Sequence, residues 1–317
     1  MEYNVETPNE SSQYINSSFV KKIEEGRIKE AEVQGSTFLR LKMRQSSFAR
    51  EILPPKDVRE DQIDRGVTSD QPRVIVEKEP DSYAKMVPFK GTGDQTWFSG
   101  PRYEVVFGKV ESQRFSKSKF ELMTYSNDIR KILSDNSVLD MSDQEDGKFI
   151  EAVEDCIGHE TGLGTVSDLV RVDNFMAKRL AQKLIRAKKP VGKLLMTLST
   201  FYGILDMDAQ QVSHDIVKGQ YRDGIEQEKK LWGIPVVTTI KNDIIDDGMV
   251  YAFAPDNWVG NFFLLQDATL FIKQEADIIT FWSYSAPGIG LGTCDAFTRT
   301  ETALNYEHII VPAGYND

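Results

Sequence analysis

Short runs of alternating apolar and polar residues are concentrated between Lys229 and Trp282. β-Branched and aromatic residues that are bounded by Gly, Pro, Asn and Asp are typical of short β-strands. Asp246-Asp247-Gly248 supplies a tight turn between two of these runs, because Gly adopts positive φ without steric cost. Gln266-Asp267 ends another of these runs. The pattern predicts five strands, at 231–240, 249–254, 262–265, 269–275 and 277–282.

Upstream of this region, apolar residues recur at helical spacing. Ser142-Asp143-Gln144-Glu145 has the S-x-x-E form of a capping box, so we predict a helix from about Asp143 to Ile157. A second helix is predicted from Thr165 or Ser167 up to Pro190, which ends it. Apolar positions at 19, 20, 23 and 28 indicate a weaker helix near the start of the chain.

Two strand-like segments, 73–78 and 102–107, enclose a stretch with Gly91-Thr92-Gly93-Asp94 at its tip. We interpret residues 71–107 as an extended ribbon. A lone ribbon is marginally stable in water and loops this long are uncommon, so we expect it to pack on a neighbouring subunit. Further strands are predicted at 38–43, 115–125, 194–197, 296–304 and 308–312, short helices at 127–133 and 207–217, and a Gly-rich turn at 285–292.

This order of elements resembles the tailed-phage major capsid proteins of the Hong Kong 97 fold. The resemblance rests on the Gly233-Ile-Pro-Val strand, the Asp-Asp-Gly turn, an aromatic strand, the run QDATLFIKQEADIITF and the Gly-rich turn, and it covers about residues 70–310. It implies an α+β fold with five parts: an N-terminal arm and extension (1–69), an extended loop (70–112), a peripheral domain with a spine helix (113–190), an axial domain (191–265) and return strands of the peripheral domain (266–317).

The resemblance also implies a function. The chain would be a major capsid protein that self-assembles as pentamers and hexamers into an icosahedral head around double-stranded DNA, in a virion assembled in the host bacterial cytoplasm. Portal, scaffolding and decoration proteins would be its other partners. Aromatic residues on a lone ribbon have nothing to pack on, so they either anchor in a neighbour's groove or form the core of a separate β-domain. We predict inter-subunit contacts at Lys85, Lys90, Trp97, Phe98, Arg102 and Tyr103.

Charge and hydropathy limit the possible partners. A net charge of -11 argues against broad binding of phosphate backbones, so DNA would be enclosed and not gripped. No apolar run approaches the roughly 18 residues of a membrane span, and we expect no membrane contact. Residues 71–120 carry nine Lys and Arg against six acids, whereas residues 241–317 carry three against eleven. Such opposite charges favour head-to-tail contacts between copies.

Candidate catalytic motifs are weak. Gly288-Ile-Gly290-Leu-Gly292 departs from the dinucleotide-binding spacing G-x-G-x-x-G, and a turn is the preferred interpretation. His159, His214 and His308 show no metal-binding spacing, and Cys156 and Cys294 fit unpaired buried thiols. We therefore expect no catalytic residue, cofactor or metal, and no enzymatic activity. Two alternatives remain: an encapsulin-type compartment, which shares the fold but encloses a cargo protein, and a soluble α+β enzyme.

Overall fold

The computed structural model describes residues 8–65, 70–77, 84, 86–93, 102–124, 133–158, 164–167, 174–205, 230–231, 233–294 and 296–301. The helices within these ranges are α1 (Pro8–Glu24), α2 (Ile28–Ser46), α3 (Phe48–Ile52), α4 (Lys119–Thr124), α5 (Leu139–Ile157), α6 (Asn174–Arg186), α7 (Leu198–Leu205) and α8 (Asp256–Val259). The strands are β1 (Lys56–Asp57), β2 (Asp64–Arg65), β3 (Pro72–Glu77), β4 (Arg102–Val106), β5 (Val110–Glu111), β6 (Phe115–Ser118), β7 (Thr165–Ser167), β8 (Lys193–Thr197), β9 (Lys230–Leu231), β10 (Ile234–Thr239), β11 (Val250–Phe253), β12 (Asn261–Glu275), β13 (Ile278–Gly290) and β14 (Phe297–Glu301).

The strands form three sheets, and most of their pairings are antiparallel. One has the order β1-β12-β13-β5, with β6 also on β13; the second has the order β7-β14-β11-β8-β10-β9; the third is β2-β3-β4. Helices pack against these sheets, which confirms the predicted α+β class.

The hairpin of β12 and β13 is the longest element pair, and it corrects two predictions. Gln266-Asp267 does not end a strand: β12 runs through it with a register irregularity, while pairing resumes at Thr269↔Tyr284. The reason is that β13 continues without a break beside β12 and pairs with it both before and after the irregularity. The Gly-rich segment predicted as a turn also continues β13 as far as Gly290. The predicted boundary between residues 265 and 266 therefore falls inside a strand.

Helix α2 occupies residues 38–43, where a strand was predicted, so that prediction is wrong. The helix packs along β12, and Gly35 lies so close to Leu270 that an added Cβ would come within 2.3 Å of its Cδ2. Ser36 Oγ accepts a hydrogen bond from the Leu270 N–H at 2.9 Å, and Glu32 accepts one from Ile272 N–H at 3.0 Å. Side chains of α2 thus satisfy backbone donors of β12. The buried residues of α2 are Ala31, Gly35, Ser36, Leu39 and Met43.

The long helix α5, which we call the spine helix, begins before its predicted start. It follows a π-helical turn at Leu133–Val138 and starts at Leu139, so Ser142 lies inside the helix and does not cap it. The capping-box interpretation is wrong because Glu145 is completely buried and pairs with an arginine from another helix. The buried positions are Met141, Ser142, Glu145, Asp146, Phe149, Ile150, Val153 and Ile157.

Other elements agree with the sequence patterns to varying degrees. The strand predicted at 115–125 ends at Ser118, where α4 begins, and the helix predicted from residue 165 begins only at Asn174 after strand β7. Predicted strands are confirmed at β3, β4, β8, β10, β11, β13 and β14. Most of the predicted helix at 127–133, and the predicted elements at 207–217 and 308–312, lie outside the described residues.

Candidate assembly interface

The ribbon predicted at 71–107 is present at its base, where β3 and β4 pair antiparallel. Its two faces differ because side chains alternate across a strand. Val74 and Val105 are paired opposite each other, and both are buried against the body of the protein together with Phe107. The base of the ribbon is therefore anchored on its own chain.

Three glycines, two on β13 and one just after it, lie directly against the base of the ribbon. An added Cβ on Gly288 would come within 2.9 Å of Phe107, one on Gly290 within 2.3 Å of Val105. One on Gly292 would come within 2.5 Å of Tyr103. Glycines and ribbon side chains share the period of two residues that strands impose. The glycines are thus needed for close packing against β4 and Phe107, and no local sequence pattern predicted this contact.

The opposite face of the ribbon base is exposed to solvent and carries mixed charges. Arg102 pairs with Glu77 across the ribbon at 2.7 Å, and Arg73 pairs with Glu104 and, at 3.8 Å, with Asp64. Surface ion pairs of this kind contribute little to stability, so they are free to exchange for contacts with another protein. Two apolar side chains, Ile75 and Val106, are also exposed on this face.

The tip of the ribbon presents apolar side chains to solvent. Pro88 and Gly91 form a turn, with the Gly91 N–H donating to the Pro88 carbonyl at 2.8 Å. Met86 and Phe89 are fully exposed, and Val87 is exposed at 41%. Large apolar side chains that are exposed close together in the sequence indicate an interaction site.

The six residues predicted to contact a neighbouring subunit have different positions. Lys90 is exposed at the tip, and Arg102 is exposed at the base in its pair with Glu77. Tyr103 is half-buried against its own chain, and its hydroxyl accepts a hydrogen bond from Asn261 Nδ2 at 3.0 Å. Burial raises the pKa of Tyr103, so the phenol stays neutral. The remaining three, Lys85, Trp97 and Phe98, lie outside the described residues, and the inter-subunit role of all six stays a prediction.

A groove of about 400 Å³ lies between the ribbon base and the five-stranded sheet. Beside it, Trp282, Phe271 and Tyr284 stack in a row, with ring centroids 5.7 and 5.0 Å apart. Arg114 lies over Trp282 and Lys109 over Tyr284, so cations cover both ends of the row. The groove is lined by Pro72, Phe107, Gly108, Lys109, Leu265, Gln266, Tyr284 and Ala286.

The protein also contains a network of buried charged side chains, which the sequence patterns did not predict. Arg50 on α3 binds both carboxylate oxygens of Glu145 on the spine helix and, at 3.0 Å, Asp267 on β12. Ser285 on β13 donates to Glu145 at 3.0 Å. Burial acts to lower the pKa of Arg50, but hydrogen bonds and charge from Glu145 and Asp267 outweigh it and raise the pKa. The signal in the sequence was an arginine in the segment Phe48–Leu53, whose other residues apart from Glu51 are apolar.

A second part of the network surrounds Asp146, the next residue of the spine helix. Asp146 accepts hydrogen bonds from Ser47 Oγ at 2.7 Å and from the Ala49 N–H at 2.9 Å, which fix the start of α3. Lys241, from the loop after β10, reaches it at 2.6 Å and also pairs with Asp143 at 2.8 Å. Burial raises the pKa of Asp146, whereas Lys241 and the hydrogen bonds oppose that rise. The network joins α3, the spine helix and the β10 loop.

The described residues were compared with the requirements of a metal site and of a membrane-spanning helix. They include no cluster of three or more metal-ligating side chains, and none of their helices has the length and apolar character of a membrane span. His159, His214 and His308 lie outside these ranges. The features that remain are the ribbon and the buried charge network.

No protein-family model and no curated protein sequence matches the chain, but solved structures match its fold. A virus-like particle from Pyrococcus furiosus aligns at a TM-score of 0.54 and 16% identity, over 86% of this chain and 100% of that chain. The capsid of a native GTA particle aligns at 0.53 and 14%, over 81% and 91%. The mature capsid of bacteriophage PhiM1 aligns at 0.54 and 8%, over 81% and 87%.

These identities are low, so the likeness concerns the fold. The chain has the Hong Kong 97-type capsid fold, which confirms the fold implied by the sequence resemblance.

Proposed function

We propose that this chain is the major capsid protein of a tailed bacterial virus. Its copies assemble as pentamers and hexamers into an icosahedral head that encloses double-stranded DNA. The observation that carries this proposal is the ribbon, whose base is seated on Gly288 and Gly290 while its tip exposes Met86 and Phe89. An element that is anchored at its base and exposes apolar side chains elsewhere is suited to contact a neighbouring copy. The fold shared with capsid shells supports the same conclusion.

Within this proposal, the extended loop at 70–112 supplies the contact between neighbours. Lys90 and Arg102, together with Lys85, Trp97, Phe98 and Tyr103, would contribute to it. The segment 71–120 has a net charge of +3 and the segment 241–317 a net charge of -8. Opposite charges on two surfaces of one chain favour a head-to-tail arrangement, which closes into rings when the rotation between copies permits it.

The proposed partners follow from the same role. A head of this kind requires a portal and, during assembly, a scaffolding protein, and it can carry decoration proteins. The net charge of -11 disfavours tight binding of the DNA phosphates, which suits a genome that must slide during packaging. The chain therefore acts as a structural protein of the virion, without an enzymatic step, and it assembles in the host bacterial cytoplasm.

An encapsulin-type compartment is the second candidate. The likeness to the virus-like particle from Pyrococcus furiosus favours it, because all of that chain is covered at a TM-score of 0.54. The two candidates differ in what the shell encloses. Nuclease-protected DNA in particles from the cells that naturally produce this chain would favour the viral head, and a protected cargo protein would favour the compartment.

Light scattering combined with negative-stain electron microscopy tests the shared part of both candidates. The freshly purified full chain is expected to form closed particles or uniform rings of five or six copies. A variant in which a short Gly-Ser linker replaces residues 78–101 should keep the folded body and lose closed particles. If the unmodified chain stays monomeric or dimeric across protein and salt concentrations, a shell function is wrong.

A further inference from the structure

One edge of β12 is covered by two different kinds of structure. β13 pairs along the opposite edge, whereas β1 pairs in parallel with Phe263 and Leu264 on this one. Farther along, at residues 268–272, helix α2 takes the place of a pairing strand. Its side chains bond to the strand backbone: Ile272 N–H to Glu32 Oε1 at 3.0 Å, Leu270 N–H to Ser36 Oγ at 2.9 Å, and Arg40 Nε to the Ala268 carbonyl at 3.1 Å.

The contacts between α2 and β12 repeat at a matched spacing. Glu32, Ser36 and Arg40 are four residues apart and lie on one face of the helix. Alternate residues of a strand direct their backbone N–H and C=O groups to the same edge, as residues 268, 270 and 272 do here. Four helical residues rise about 6 Å and two strand residues rise about 6.6 Å, so the two series stay in step. The helix therefore covers three successive positions of the edge.

The covered edge is complementary to itself. In an antiparallel pair centred on Leu270, each Leu270 N–H faces the Leu270 carbonyl of the other copy, and each Ile272 N–H faces the other Ala268 carbonyl. The segment 268–272 has no charged residue and no proline, and it includes Thr, Phe and Ile, which favour strands. Such an edge is a template for another strand when nothing covers it. The backbone groups that α2 satisfies are thus the ones that a second β12 would use.

We propose that α2 is an intramolecular cap on a strand-docking edge, and that two chains whose α2 has left this edge pair there in antiparallel fashion along β12. The pair is isologous, with the same residues on both sides of a two-fold axis. Solvent reaches one end of the cap, because the Arg40 side chain is 46% exposed. While α2 is in place, it prevents copies from joining sheet to sheet and leaves their association to other surfaces. This inference goes beyond the proposed shell function and does not depend on it.

The test compares the full chain with its triple variant Glu32→Ala/Ser36→Ala/Arg40→Ala. Hydrogen–deuterium exchange with mass spectrometry follows the backbone amides of Leu270 and Ile272, and sedimentation velocity measures the mass of the species in solution. Both are recorded at two protein concentrations that differ about a hundredfold, because pairing of copies follows mass action. At the low concentration, the two amides of the variant should exchange at least about tenfold faster than those of the unmodified chain, since each has lost its acceptor. At the high concentration, their exchange should slow again and a two-copy species should form.

Glu30→Ala/Thr37→Ala/Arg44→Ala is the matched control, because it removes the same kinds of side-chain group from exposed positions of α2. Its amides at residues 270 and 272 should exchange as they do in the unmodified chain at both concentrations. Ser36→Ala alone replaces the triple variant if circular dichroism shows that the triple variant does not fold. The single variant should speed exchange at Leu270 roughly tenfold and at Ile272 much less, again with slower exchange at the high concentration.

The proposal is overturned if the two amides exchange as slowly in the variants as in the unmodified chain, because α2 would then not close the edge. It is also overturned if their exchange is fast at both concentrations, whether or not larger species form. Rings and closed particles are scored on the unmodified chain by light scattering and microscopy. Failure of the shell function would leave the exchange results unaffected, so the two failures are distinguishable.

Discussion

Arg50 and Glu145 form a buried bidentate ion pair, in which Arg50 Nε lies 2.8 Å from Glu145 Oε2 and Arg50 Nη2 lies 2.9 Å from Glu145 Oε1. Their side chains are 1% and 0% exposed, respectively. A buried charge is tolerated when its hydrogen-bonding groups are satisfied, and here Asp267 and Ser285 complete the set. The pair holds the short helix α3 against the spine helix, and thereby joins the N-terminal helices to the body.

Replacing Arg50 with methionine should destabilise the chain strongly. Glu145 and Asp267 would remain buried without their cation, and the loss is expected to be about 3–5 kcal/mol in the free energy of unfolding. Urea denaturation followed by circular dichroism measures it. The double variant Arg50→Met/Glu145→Leu should lose less than Arg50→Met alone, because it leaves fewer unpaired charges. Arg114→Met, at an exposed ion pair, is the control and should change stability little; an equal loss there would contradict this account.

Replacing Lys241 with methionine should make stability depend more strongly on pH. Lys241 and Asp143 are the charged groups paired in this part of the network, and Lys241 lowers the pKa that burial of Asp146 raises. Without Lys241 that pKa rises further. A carboxyl with a raised folded-state pKa contributes stability that is fully present below its unfolded pKa and is lost as pH rises through its folded pKa.

The destabilisation by Lys241→Met is therefore expected to be about 3 kcal/mol near pH 8 and clearly smaller near pH 5. Urea denaturation of both proteins at a series of pH values measures the difference. Lys273→Met, which removes an exposed partner of Glu275, is the matched control and should leave the profile unchanged. A penalty from Lys241→Met that is constant with pH would show that Asp146 does not respond to this lysine.

The substitution Gly290→Ala should weaken the packing of the ribbon base against β13. The new Cβ would lie 2.3 Å from Val105 Cγ2, so β4 must move, at a cost of about 1–3 kcal/mol in stability. Gly147→Ala is the control with the opposite expected sign: it lies in the spine helix with open space around it, and alanine favours the helix by roughly 0.5–1 kcal/mol.

The combination Gly290→Ala/Val105→Ala separates a steric effect from a backbone effect. Shortening Val105 removes the close contact, so the double variant should be more stable than the sum of the two single effects allows. Thermal denaturation of the four proteins gives this comparison. Strict additivity would mean that Gly290 is needed for a reason other than its contact with the ribbon.

Polar substitutions at the ribbon tip should separate assembly from folding. Met86→Ser and Phe89→Ser replace exposed side chains, so the free energy of unfolding of the single chain should change by less than about 0.5 kcal/mol. Under the proposed function, the same variants should form fewer particles in light-scattering measurements. Ile185→Ser, at an exposed apolar residue of α6, is the matched control and should assemble normally. Normal assembly of both tip variants would remove the tip from the interface.

The sequence alone predicted much of the fold because strand and helix periods are local properties. Alternation of β-branched and aromatic residues identified β10, β11 and β14, and Pro190 placed the end of α6 within a few residues. The order of these elements was enough to point to the capsid fold. The lack of a long apolar run predicted no membrane span, and the net charge argued against tight DNA binding, since neither depends on how the chain folds.

Periodicity failed where a short pattern fits two structures. Residues 38–43 alternate like a strand, but buried Leu39 and Met43 continue a four-residue spacing from Ala31 and Gly35, which is helical. Whether this segment became a strand or a helix depended on its contact with β12. Side chains of the helix, Glu32 and Ser36, accept hydrogen bonds from N–H groups of that strand. Residues from opposite ends of the chain make that contact, and no local window contains both.

Only the tertiary structure decided which residues became partners. Glu145 has the position of a helix cap in the sequence, yet it faces Arg50 in the core. The glycines at 288, 290 and 292 have the composition of a turn, yet the first two lie in β13, the third follows it, and all three pack against side chains of the ribbon base. The physical reason is common to both cases: sequence spacing fixes the direction in which a side chain points, but packing between distant segments fixes what it meets.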